Sequence, residues 1–211
     1  MPLSTLVRAR RGPRSALLVS ALLVGGCPGS SSDDGDPDLS TASTRNRLIW
    51  KRQHALTQDL VRALELEPTE LCTELGELDC INDVHQASLG GHDPIAQGLY
   101  EPIAEPLTTT PLALDRVALA ACGRRVQLDR QAPVVFTTLA LDGEAPSADA
   151  PAFEQTVVTL YRRLLGREPT PEELELHAEL LVDDAGERVG ADRFAHLSCF
   201  VVVTSAEFLF I

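Results

Sequence analysis

The residues in this 211-residue chain that come nearest to chemistry by type and spacing are His85, His92 and Asp93, followed by Tyr100. Imidazole nitrogens and a carboxylate suit a metal or a polar ligand, and these residues border a Gly/Pro-rich segment where a pocket could form. Such a site needs its groups to converge; the competing reading is solvated or locally hydrogen-bonded loop residues. Other chemistries lack their signatures. No Gly-x-Ser-x-Gly elbow supplies an activated serine. "LGGHDPIAQG" lacks the Lys-Ser/Thr ending with which a phosphate loop holds phosphate and magnesium. No catalytic residue and no cofactor is expected.

Cys27 points to a different chemistry. Arg8, Arg10, Arg11 and Arg14 precede "SALLVSALLVGG", an apolar run of about a dozen residues. That is well short of the ~20 residues a membrane-spanning helix needs, and it reads as an export signal. The ending "VGGC" resembles the bacterial lipobox, in which an aliphatic and two small residues precede a cysteine. The resemblance implies diacylglyceryl transfer to the Cys27 thiol, cleavage before it and acylation of the new terminus. Pro28 in place of aspartate makes an outer-membrane address the default. "PGSSSDDGDPDLSTAS" follows, too polar to offset its own ordering entropy. Its sixteen residues have an r.m.s. reach of about 20–24 Å, suited to a tether.

Cys72, Cys80, Cys122 and Cys199 remain. An even number in an oxidising compartment reads as disulfides, with three possible pairings. The expected pairing is a local Cys72–Cys80 staple together with Cys122–Cys199; the alternative is reduced thiols packed as small apolar side chains. Neither Cys-x-x-Cys redox chemistry nor haem attachment has its motif, and no pair has the close spacing of structural zinc sites.

The charge balance excludes one class of partner. The chain carries 31 acidic and 18 basic residues, and removing the four leader arginines leaves 31 against 14, a net charge of −17. Such a surface is repelled by phosphate backbones, and aromatic residues for base stacking are only 4%. No nucleic acid is expected. "RNRLIWKR" gathers Arg45, Arg47, Lys51 and Arg52 around Trp50 and could rest on anionic headgroups. Equally, it is a solvated helix face with Trp50 in the core. "EFLFI" (Glu207 to Ile211) is either a last turn packed inside or a peg for a partner.

The elements that must position these groups are helical. Ile49, Leu56, Leu60, Ala63 and Leu64 have helical spacing within 44–66. "PTELCTELG" predicts a short helix stopped by Gly76, and "CINDVHQASLGG" another closed by Gly90-Gly91. After an irregular stretch, Thr110 and Pro111 start a long helix. "VVFTT" has the β-branching of a short strand. Pro151 opens the next helix and Gly166 ends it, after which Thr170, Pro171 and Glu173 spell a capping box. A last helix running from near Ala191 through "FAHLSCFVVVTSAEFLFI" has a middle that is apolar nearly all round, which predicts the buried centre.

The expectation is an all-α small helical bundle with long irregular loops, its tail hairpin packed on an N-terminal helical half. The segments are a lipoprotein signal peptide (1–26), lipid anchor and tether (27–43), an N-terminal helical half (44–130), a linker or irregular loop (131–150) and a C-terminal helical unit (151–211).

The tail "TLYRRLLGREPTPEELELHAELL" with "TSAEFLFI" resembles the C-terminal helical unit of large secreted planctomycete-type proteins of unknown function. "CTELGELDCINDVHQASLGG" and "TTPLALDRVALAAC" are similar to small predicted myxobacterial-type lipoproteins. Neither resemblance brings a catalytic residue. The anchor, the tether, the helical tail and the missing catalytic site point to a lipid-anchored envelope protein, most simply a non-enzymatic interaction or accessory module with an envelope protein partner. The alternative is a small metal-binding or enzymatic accessory using the His85/His92/Asp93 loop.

Overall fold

The computed structural model describes residues 48–211 other than 99 and 104. The signal peptide, Cys27, the tether, Arg45 and Arg47 lie outside the described residues.

The first helix, α1 (Gln53–Leu64), buries Leu56, Leu60, Ala63 and Leu64, the row that the 3.6-residue period predicts. It begins later than expected. Residues 49–51 are extended and pair with 209–211: the Ile49 and Ile211 N–H groups donate to each other's carbonyls at 2.8 Å, and the Lys51 N–H donates to Leu209 O at 2.7 Å. Ile49 therefore belongs to a ribbon, and its helical spacing is coincidence. Glu65, in the left-handed region at φ 50°, stops α1.

The expected helix over "PTELCTELG" is replaced by one 3-10 turn (Pro68–Glu70) and a hairpin, β1 (Thr73–Glu74) with β2 (Leu78–Asp79). The hairpin is antiparallel, with Thr73 opposite Asp79 and Glu74 opposite Leu78. Leu75 (φ 53°) and Gly76 (φ 80°) take the left-handed conformation that reverses the chain, which no helix interior accepts. The fold is thus mostly helical with a small two-stranded sheet. Cys80–Val84 then forms a single π-helical turn. Its N-terminal N–H groups on Ile81 and Asn82 donate to the Asp79 carboxylate.

The irregular segment that follows holds the four-residue α2 (Pro94–Gln97). Next comes α3 (Thr110–Asp129), 20 residues long. It packs against α6 (Ala191–Val203), which also lies on α4 (Pro151–Leu164). Phe194, Ala195, Cys199 and Val202 of α6 are buried, making it the central element as its composition predicts. It ends sooner than expected, at Thr204-Ser205. The Thr204 hydroxyl donates back to Phe200 O, and the Ser205 hydroxyl caps a new short helix, α7 (Ala206–Leu209).

The stretch 131–150 forms no strand at "VVFTT". The Val134, Val135 and Phe136 N–H groups donate to the Asp129 carboxylate at 2.9, 3.0 and 2.7 Å, so they are unavailable to a ladder. Val135, Phe136, Leu141 and Ala145 join the same core as α1, α3, α4 and α6, so this loop is part of the packing. Asp129 also pairs with Arg125 at 2.6 Å, and both are buried. Arg125 continues to the carbonyls of Leu64 and Glu65 and ties α3 to the end of α1.

After Gly166 (φ 72°), Thr170 and Glu173 form the predicted capping box of α5 (Pro171–Ala178).

Candidate functional site

The hairpin and α3 bring together the first group of charged side chains. Glu74 on β1 faces His85, and Nε2 of His85 lies 2.8 Å from its Oε1. Arg116 of α3 donates to the same oxygen at 3.1 Å. The bond to His85, then that to Arg116, holds the Glu74 carboxyl below its ordinary range. A carboxylate can orient an imidazole as a base. Among the described residues, however, no hydroxyl or thiol is hydrogen-bonded to His85.

His92 and Asp93 do other work. Asp93 caps α2, accepting from the Ile95 and Ala96 N–H groups at 2.9 and 3.0 Å. Both ring nitrogens of His92 are buried without a partner. Tyr100 is exposed. Among the described residues, no three His, Cys, Asp or Glu side chains converge to hold a metal ion.

The cysteines pair as expected. Cys72 and Cys80 flank the hairpin, with Cα atoms 5.5 Å apart, and Cys122–Cys199 joins α3 to α6 at 5.8 Å.

Two of the concavities on the described surface bear on function. A polar one of about 520 Å³ runs between the 3-10 turn and α3, lined by Glu70, Thr73, Arg124, Gln127 and His196 among others. Its charged groups and imidazole are already engaged: Arg124 bonds Glu70 at 2.6 Å and holds that carboxyl below its ordinary range, and Nε2 of His196 lies 2.8 Å from Leu119 O.

The other is an apolar cleft of about 290 Å³, lined by Trp50, Leu107, Pro111, Leu114, Leu209 and Phe210 with a few polar neighbours. Those neighbours are largely spoken for. The Thr110 hydroxyl donates to Ser88 O and accepts from the Leu107 N–H, and the Thr204 hydroxyl bonds Phe200 O. Lys51 is ion-paired with Asp59 at 2.8 Å and lies over the Phe208 ring. Trp50, 8% exposed, rests its ring on Gly90, where an added Cβ would sit 2.7 Å from it. Its indole N–H is buried without an acceptor. "RNRLIWKR" and "EFLFI" stand out separately in the sequence; only the ribbon between residues 49–51 and 209–211 makes them one surface.

Sequence reasoning missed Arg167. It chelates Glu173 at 2.7 and 2.8 Å, donates to both oxygens of Glu207, and lies 5.2 Å from the Tyr161 ring centroid. These bonds pull Glu173 down to about 2 and lower Glu207. Behind them His177 is buried edge-on to Tyr161, and desolvation pushes it down to about 4. The arrangement secures a turn and offers no reacting group. In comparisons with family models, curated proteins and solved structures, the chain matches none.

Proposed function

We propose that this is a lipid-anchored cell-envelope protein whose folded part is a non-enzymatic interaction or accessory module. The observation that carries the reading is "VGGC" after a basic and apolar leader, followed by a polar tether. Multiple acyl chains on Cys27 turn weak membrane contact into stable anchoring. Two disulfides suit the oxidising side of the inner membrane. An outer-membrane address is the default given Pro28. No described helix is long and apolar enough to cross a membrane.

The metal-binding or enzymatic alternative has less support. Asp93 already caps a helix, and Glu74, itself bonded by Arg116, engages His85.

The test is native mass spectrometry of protein extracted from its own membranes in mild detergent. The expected species begins at Cys27, carries acyl chains and brings a stoichiometric protein partner. An unacylated chain overturns the anchor, and a bare chain with a bound metal ion overturns the accessory-module reading.

A further inference from the structure

The ribbon between residues 49–51 and 209–211 carries an apolar surface that no described residue covers. Leu48, Ile49 and Ile211 are 78%, 57% and 69% exposed, and Phe210 is 37% exposed. Ile49 and Ile211 are directly opposite in the antiparallel pairing, so their side chains share one face, while Trp50 and Phe210 share the other. The Trp50–Phe210 face opens into the apolar cleft. The exposed Ile49 and Ile211 side chains lie on the side of the ribbon away from the cleft, and exposed aliphatic side chains gathered in this way mark a contact surface.

Its position indicates what covers it. Leu48 begins the described residues, and only twenty residues, 28–47, separate it from Cys27. A polar stretch of that length has an r.m.s. reach of about 22–27 Å. The flanking sequence is basic on both sides, with Arg45 and Arg47 before the ridge and Lys51 and Arg52 after, in a chain otherwise dominated by acidic residues. Lys51 is taken up by Asp59, but no described partner pairs with Arg52.

We infer that the Ile49–Ile211 ridge is the face that rests on the bilayer, with its aliphatic side chains among the lipid acyl chains and Trp50 directly behind it on the ribbon. The inference depends on the anchor proposed above, since tethering raises the effective concentration of the surface and lets a weak contact be populated. The module then lies on its membrane with a fixed face.

The sole tryptophan, Trp50, is the reporter. The acylated full-length mature protein is reconstituted into phosphatidylcholine vesicles containing 20% phosphatidylglycerol, with or without dibrominated acyl chains, which quench tryptophan only at close range. The mass of the same sample is measured. At least a twofold loss of Trp50 fluorescence is expected in brominated vesicles. It should fall to less than a fifth of that loss in Ile49→Glu/Ile211→Glu, whose positions are exposed and leave the fold intact. Acylated protein that is not quenched overturns the inference and leaves the anchor standing. An unacylated mass overturns both. Quenching unchanged in the double variant also overturns it. A concentration-dependent dimer in lipid-free detergent that the double variant dissolves assigns the face to a second copy and overturns it as well.

Discussion

Arg167 and Glu207, forty residues apart in sequence, are joined by two hydrogen bonds, one from Nε to Oε1 at 2.8 Å and one from Nη2 to Oε2. The same guanidinium grips both oxygens of Glu173. The "GREPTPEEL" turn and the "SAEFL" helix are therefore fixed to each other by a single planar cation. Lysine cannot fork in two directions. Arg167→Lys is expected to cost about 1–2 kcal/mol, at the upper end for partly exposed pairs, because two carboxylates lose a bidentate partner. Urea denaturation checks this, and the difference should shrink in 1 M salt as screening takes over.

Asp129 predicts a larger effect. It is the buried partner of Arg125 and also accepts three N–H groups from residues 134–136. Asp129→Leu should cost about 3–5 kcal/mol, since it leaves Arg125 charged and unpaired. If the ion pair were the whole story, adding Arg125→Met would recover much of that loss. The three orphaned N–H groups do not return with the second replacement, so Arg125→Met/Asp129→Leu should recover only the share due to the unpaired charge and stay about 1–3 kcal/mol less stable than the parent. Urea melts of the two single variants and the double give the answer.

What could be read in advance follows the range of the interactions. The Thr170–Glu173 capping box, the Pro151 helix start and the buried row of α1 depend on residues within a few positions of each other. The apolar composition of α6 was enough to place it at the centre. Elements decided by distant partners were misread. Ile49 has helical spacing, but Ile211 takes it into a ribbon. "VVFTT" has strand-forming residues, but the side chain of Asp129, at the end of the preceding helix, takes three of its N–H groups. At the candidate site, His85 and His92 are close in sequence, yet the group that engages His85 is Glu74, across the hairpin turned by Leu75 and Gly76. The apolar cleft was invisible because its two sides, Trp50 and Phe210, come from opposite ends of the folded part.

The disulfides should differ in weight. Cys122–Cys199 closes a sequence separation of 77 and Cys72–Cys80 one of 8. Chain-entropy arithmetic gives about 4–5 kcal/mol for the long loop and about 2–3 for the short one. Paired alanine replacements, compared by urea denaturation under oxidising conditions, should show that order. The Cys122–Cys199 pair is also fully buried between α3 and α6, so its removal adds a packing loss.

His177 sets the acid response. Its ring is buried, neither nitrogen has a partner, and Tyr161 meets it edge-on. Burial lowers its folded pKa from 6.5 to about 4, although the Glu173 charge one turn away pulls the other way. Between those values the unfolded chain binds the proton and the folded one does not. Stability from this group is therefore complete above about pH 6.5, falls as the pH drops toward about 4, and changes no further below that. The shift corresponds to roughly 3 kcal/mol. Glu173 acts in a lower window: its pKa is lowered to about 2 by Arg167, so its contribution is present above about pH 4.5 and is lost as the pH falls toward 2. His177→Leu fills a similar volume, removes two unsatisfied nitrogens and should be more stable than the parent at pH 7 by about 1 kcal/mol. Its stability, followed by urea denaturation from pH 7 to 2, should stay flat down to about pH 4.5 and then fall as Glu173 is protonated. A variant that still loses stability between pH 6.5 and 4.5 would show that some other group carries the upper window.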